Sequence, residues 1–587
     1  MSRYHDVQLK LNNISPIPKG IPKIYLLGDT GAGKTTLIRK ILGTDVTKFP
    51  TTRQTRTTVA PTEYVICNTS GYDLTVLFKS LDEVKRYVRE IIKESIEKYI
   101  KNQKEDTLSR STRQTNDQRF RLYYLLGDDL MIDFVERIKS LSMSVNMKII
   151  ELEEVFKDDI TDLDEYVIFA FDELSDDIDI LQEWVTDEIQ KVVMSICENN
   201  SLCEEITPYK YQSNDKDEFI ERCKKILASD KESISPVIEY ARISGNIKSE
   251  WLADDTEVVI VDGEGIGHDT KEVGQLDARH YDFFYNTDLI LLIEESKKPF
   301  VAGGKSALKS IFNRGYENKL SLFFTKLDEV SPYDIEEPTD DERIENVQDG
   351  LENVLSALKN EGDKGIKYEI DSDNVYYFGG LDKNTSNERL CSNIERLFNQ
   401  IKERLNIEDQ FIEPKYDFEL LPQKISLTSK IFKEKYNSLL HREHWKTIEA
   451  FSLRMYFDID GFRMFTPITD FEEIINEYVN EFLSIPMGWD CEAVEKLKLD
   501  SLNKVRREFN KLILNFIRSE IITIPHEEWK TSYCFSGRGS TVIRRSKINS
   551  IFKKSIPDSE QVHEFKIFKD KIKNIIINSI DNCKNNN

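Results

Sequence analysis

At 587 residues the chain is long enough for two or more domains. Its residues are 39% hydrophobic and 32% charged, an ordinary balance for a soluble protein. The net charge of −24, from 81 basic and 105 acidic residues, sets up a field that repels phosphate and excludes broad nucleic-acid binding. No stretch of about 18 apolar residues marks a transmembrane helix, and the amino terminus lacks the apolar core of a signal peptide. Eight scattered cysteines without a C-x-x-C pair fit reduced thiols in a cytoplasmic protein.

The first element is a short apolar run, Ile24-Tyr25-Leu26-Leu27, read as a buried strand. It runs into Gly28-Asp29-Thr30-Gly31-Ala32-Gly33-Lys34-Thr35, which fits G-x-x-x-x-G-K-[ST]. A helix is predicted from Thr36 onward. Glycines let such a loop turn its N–H groups inward around a phosphate, and the helix start adds unpaired donors and the positive end of its dipole. In this pattern Lys34 reaches the β- and γ-phosphates and the Thr35 hydroxyl holds Mg²⁺, with Thr36 completing the segment.

Thr51 to Thr58 follow, ahead of the predicted strand Pro61 to Ile66. The alternation at Tyr72 to Phe78 and at Val237 to Ile243 predicts two further strands, the two sides of a hairpin into which an insertion enters. Between them the pattern turns helical. Val84, Val88, Ile91 and Ile92 share one stripe, and Met131 to Leu141 and Ile178 to Met194 behave alike. The polar stretch from Lys104 to Gln118 reads as a loop. The acidic run Asp172 to Asp179 reads as the solvated start of a helix. It lacks the Gly turn and final Glu of a calcium loop.

Glu257 to Val261 is another apolar strand, ending in Asp262-Gly263-Glu264-Gly265. A carboxylate at Asp262 can hold the Mg²⁺ shell through water, and the Gly265 N–H can meet a γ-phosphate. Leu320 to Phe324 then runs into Thr325-Lys326-Leu327-Asp328. The Asp328 carboxylate can accept from both the ring N1–H and the 2-amino group of guanine, donors that adenine does not present, while the Lys326 stem covers one face of the base. Asn374 to Phe378, followed by Gly379-Gly380, is the stretch to which the family resemblance given below assigns a loop beside the base. From about residue 410 the pattern is mainly helical: Leu427 to Asp458 with Trp445 buried, Phe471 to Leu483, Val494 to Ile521, and Lys566 to Ile580. A basic cluster of Arg538, Arg544, Arg545, Lys547, Lys553 and Lys554 stands out from the acidic background. Internal pairing or solvation outweighs contact with lipid, RNA or protein.

Taken together, these three motifs resemble the GTPases of the translation-factor-related class, which includes Ras-like, septin, dynamin and guanylate-binding proteins. The resemblance covers residues from about 20 to 400. It implies a three-layer α/β/α P-loop domain over 20–79 and 236–405, with a segment 1–19 before it. A helical insertion occupies 80–235, and a mainly helical domain 410–587. It also implies GTP or GDP with Mg²⁺ as cofactors. The first-switch threonine that reaches Mg²⁺ is Thr58 or Thr57. Ile266 stands where Ras-like proteins carry a water-orienting Gln, so charge neutralisation and water placement fall to other groups. The candidates are Arg53 and Arg56, an arginine from a second protomer, the first-switch threonine carbonyl, and His268. The resulting expectation is a large dynamin-like GTPase whose nucleotide state controls self-assembly, as a homodimer or larger, or an unidentified protein partner. The alternatives are a GTP-gated scaffold with negligible hydrolysis, and an ATPase.

Overall fold

A computed structural model describes residues 3–44, 49–50, 60–115, 120–155, 163–198, 200–231, 233–263, 265–266, 276, 278–332, 335–361, 366–381, 388–405, 410–459, 464–537 and 539–585. Nine strands form one mixed, mostly parallel sheet. They are β1 (Lys23–Gly28), β2 (Thr62–Ile66), β3 (Tyr72–Phe78), β4 (Pro208–Ser213), β5 (Ile238–Gly245), β6 (Val258–Asp262), β7 (Leu289–Glu295), β8 (Leu320–Thr325) and β9 (Val375–Tyr377). Their order is β4-β3-β5-β2-β6-β1-β7-β8-β9. β1 lies between β6 and β7 and is parallel to both, with Leu26 opposite Asp262 and Gly28 opposite Ile293. The chain leaves β1 for one side of the sheet and later fills the other. The carboxyl end of β1 is therefore the switch point at which open α/β sheets hold ligands.

Side-chain alternation sends the two faces of each strand into different cores. Ile24 and Leu26 of β1, and Val258 and Ile260 of β6, join one cluster. It contains the helix Lys34–Leu42, the helix Glu388–Leu405 and the apolar stripes of the insertion. Tyr25 and Leu27, with Val259 and Val261, join the other. That cluster contains the helices Ala278–Asn286, Ala302–Asn313 and Asp340–Glu361, and it continues without a break into the helices beyond residue 420. Each leucine or isoleucine fully buried in these layers contributes about 1.5–3 kcal/mol.

The insertion holds the helices Leu81–Asn102, Glu105–Ser111, Leu122–Val155 (broken at Gly127), Leu163–Glu173 and Ser175–Ile196. Ser80 caps the first of these by accepting from the Glu83 N–H at 3.3 Å. Two features differ from the sequence reading. The range 80–235 is not wholly helical: β4 lies within it and pairs antiparallel with β3, extending the sheet edge. The stretch read as a polar loop carries the helix Glu105–Ser111, because its single apolar residue, Leu108, is fully buried and Glu105 pairs with Lys139 at 2.7 Å. The acidic run follows its expected role, with Asp176 and Asp177 in the first turn of a helix, where the dipole favours negative charge.

Beyond residue 410 the helices are Leu421–Arg442, Trp445–Tyr456, Pro467–Leu483, Glu495–Arg518, His526–Tyr533, Ser540–Ser555 and His563–Asn585. The single stripe read from Leu427 to Asp458 is two helices. His444 interrupts it, its ring accepting from the Lys446 N–H and restarting the helix. Trp445 is buried as expected. Most of the described basic cluster is paired within the protein, while Lys553 and Lys554 are exposed. Arg544 is 2% exposed and donates to the Ser532 carbonyl at 3.0 Å, Arg545 donates to the Glu443 carbonyl, and Lys547 and Lys554 share Glu528. Arg538 lies outside the described residues. No helix among the described residues is long and apolar enough to cross a membrane.

Candidate functional site

The loop after β1 closes on itself, the Ala32 N–H donating to the Asp29 carbonyl at 3.2 Å. Gly33, with φ of 103°, sits in the left-handed region that turns the chain into the helix Lys34–Leu42. A side chain there would also approach Thr325 at 3.2 Å, so the loop needs glycine for space as well as for conformation. Lys34 is 7% exposed, and its ammonium donates to the carbonyls of Gly28 at 2.6 Å and Asp29 at 3.0 Å. The cation thus lies beneath the loop. Thr35 is buried in the first turn and Thr36 is half-buried.

The segment after β6 folds onto this loop. Ile266 donates its N–H to the Gly28 carbonyl at 3.2 Å and forms a parallel bridge with Asp29. Gly265 faces Thr30 and Lys34: a methyl group on it would stand 3.0 Å from the Thr30 hydroxyl and 3.4 Å from the Lys34 Nζ. Gly263 packs on the Tyr25 ring, whose hydroxyl is 2.6 Å from the His280 Nδ1. The site therefore holds two hard oxygen donors, the Thr35 hydroxyl in the first helical turn after β1 and the 2% exposed Asp262 carboxylate at the end of the adjacent strand β6. That donor chemistry fits Mg²⁺.

The third motif closes the opposite end. Thr325, 1% exposed, donates its hydroxyl to the Ala32 carbonyl at 2.8 Å, tying β8 to the phosphate loop. Asp328 is exposed, and its Oδ1 accepts from the Gly380 N–H at 2.8 Å, with Gly379 packed against it. The Leu327 N–H donates to the Phe378 carbonyl at 2.8 Å. Lys326 takes a left-handed backbone, φ 55°, and its ammonium pairs with Glu295 at the end of β7. The Lys326 stem thus crosses from β8 towards β7. A T325V variant keeps the shape and loses the bond to Ala32. It is expected to lower stability by about 1–2 kcal/mol in urea unfolding, and wild-type stability would show the tie to be idle.

The structure brings together Gly28, Asp29, Thr30, Gly31, Ala32, Gly33, Lys34, Thr35, Thr36, Asp262, Gly265, Thr325, Lys326, Asp328 and Gly379 at the carboxyl ends of adjacent strands. Thr58, Thr57, Arg53, Arg56 and His268 lie outside the described residues. Sequence reasoning missed Glu294 and Glu295, which end β7 beside the phosphate loop. The signal was present: two carboxylates closing an apolar strand at the ligand-binding edge. Glu294 is 4% exposed. One of its oxygens accepts from the Phe300 N–H at 2.9 Å, and the other has no hydrogen-bond partner among the described residues. Burial pushes its carboxyl up to about 8. The Phe300 N–H and Lys34 act against that rise, and Asp29 and Glu295 add to it.

No family model matches the sequence, and no curated protein matches it. Two solved structures of an oligomerised bacterial dynamin pair, described as a mechanism for long-range sensing and tethering of membranes, align with 98% of this chain and 75% of their own. Identities are 12% and 14%, and TM-scores 0.29 and 0.27. At such scores the chemistry of the site rests on its own residues.

Proposed function

We propose that this chain binds GTP with Mg²⁺ and hydrolyses it to GDP and phosphate, its nucleotide state controlling self-assembly or partner binding through the helical regions. One observation carries the reading. The Asp328 carboxylate is held by the loop at Gly379-Gly380, while Thr325, three residues earlier, is bonded to Ala32 of the phosphate loop. A guanine-reading acceptor and a triphosphate-reading loop are thereby fixed to one another. Bound Mg²⁺, held by Thr35 and Asp262, would neutralise charge on the phosphates. Lys34 adds a cation beneath the loop, and Gly265 offers its N–H where it can respond to a third phosphate.

A second reading is GTP-gated binding with negligible turnover. Ile266 favours it, because the side chain is 7% exposed and apolar, and cannot orient a water. Phosphate release measured with GTP and with ATP over a range of protein concentrations separates the readings. D328N is expected to weaken GTP binding at least tenfold and to leave ATP unaffected, whereas K34A weakens both. Turnover per protomer that rises with concentration supports an assembling GTPase and a trans arginine. Tight binding without release supports the gated scaffold, and equal preference for ATP removes the guanine assignment.

A further inference from the structure

The helix Ala302–Asn313 touches the phosphate loop at one end and the carboxyl-terminal helices at the other. Its first turn carries Gly303 and Gly304. A methyl group on Gly303 would stand 2.3 Å from the Asp29 Oδ1, and one on Gly304 would stand 2.1 Å from the Glu294 Oε1. A side chain at either position would displace a carboxylate tip, so Asp29 after β1 and Glu294 of β7 both pack against the start of this helix. The start of a helix favours the negative charge of Asp29. The preceding turn is held as well, through the Phe300 N–H on Glu294.

The far end is gripped by a different set of groups. Asn480 donates to the Asn313 carbonyl at 2.8 Å. The Arg314 guanidinium forks onto Glu472, with its Nε 3.0 Å from Oε1, and lies 3.6 Å over the Tyr281 ring. Arg507 donates to the Gly315 carbonyl at 2.8 Å, and Gly315 has no room for a side chain against Asn503. Between the ends, Ala307, Leu308, Ile311 and Phe312 are wholly buried. A helix packed along its length and pinned at both ends moves as a body.

We propose that the helix Ala302–Asn313 is a strut that transmits the shape of the phosphate loop to the helices Pro467–Leu483 and Glu495–Arg518, with Glu294 as the positioning residue at its start. Nothing in the proposal requires bound nucleotide to show itself. Its use as a nucleotide response rests on the phosphate-loop reading given above. The strut converts a change at Asp29 into a load on the buried Arg314–Glu472 pair, and coupling of this kind acts in both directions.

The test is backbone amide hydrogen exchange of the full chain without nucleotide, comparing wild type with G304A, E294Q and E472Q. G304A and E294Q are expected to speed exchange in residues 467–483 by about threefold or more. E472Q is expected to do the same for residues 29–42. Should G304A fail to fold, E294Q and E472Q read the same coupling from opposite ends. Changes confined to the substituted end in both directions would overturn the strut. Failure of GTP binding in parallel titrations would remove the guanine reading and leave this result standing, because exchange is read on the nucleotide-free protein.

Discussion

An R314L variant is expected to lose about 3–5 kcal/mol of stability, the cost of stranding one member of a buried ion pair. Arg314 and Glu472 are 3% and 1% exposed, and each supplies the other's counter-charge. Burial works most strongly against the Arg314 charge, but Glu472, joined by Tyr281 and Glu473, holds the guanidinium above its ordinary range. With Arg314 gone, Glu472 keeps, among the described residues, the Asn476 amide at 2.7 Å, and must either stay charged in an apolar setting or take up a proton. The double variant R314L with E472L removes both charges, so it is expected to cost less than half as much as R314L alone. Urea unfolding of the two single variants, the double variant and wild type measures this. A double variant whose loss equals the sum of the singles would show that the two residues act independently.

The second large effect concerns Glu294. The unfolded chain releases this proton near 4.5, while burial holds it in the folded protein up to about 8. Between those values the folded state binds more protons than the unfolded state, so stability falls as pH rises and levels off above 8. The slope is on the order of 1 kcal/mol per pH unit at its steepest. E294Q cannot ionise, so its stability is expected to lack this pH-dependent component. Unfolding midpoints at pH 5, 6, 7 and 8 for both proteins provide the comparison. Parallel curves would mean that Glu294 titrates in the usual carboxylate range.

Much of the site was legible because its signals are local. Each motif follows an apolar run that ends where β1, β6 or β8 ends, and a strand end at a sheet edge is short-range information. Gly379, read as part of a loop beside the base, packs against Asp328. Glu294 was legible only as a carboxylate closing an apolar strand, because its place at the site depends on Gly304 making room for it and on β7 lying beside β1. Neither fact is written in the five apolar residues before it. The helix Glu105–Ser111 escaped notice because a single buried leucine outweighed a polar stretch. Arg544 reads as one of a basic run that is solvated or internally paired, and only the fold shows which it is, with three carbonyls gathered to receive it: Ser532, Tyr533 and Phe535.

The alternating faces of β1 carry a practical consequence for dissecting the molecule. Successive residues of that strand belong to different cores, and the core on the Tyr25 side runs on through Tyr281, Tyr316 and Phe312 into the helices beyond residue 420. A cut near residue 410 would follow a boundary in the sequence but would pass through a single hydrophobic body. It would bare Tyr281 and Tyr316 and leave Arg314 without its carboxylate. The half built on the nine-stranded sheet is therefore not a module to be excised or transplanted: its outer wall is supplied by helices beyond residue 420.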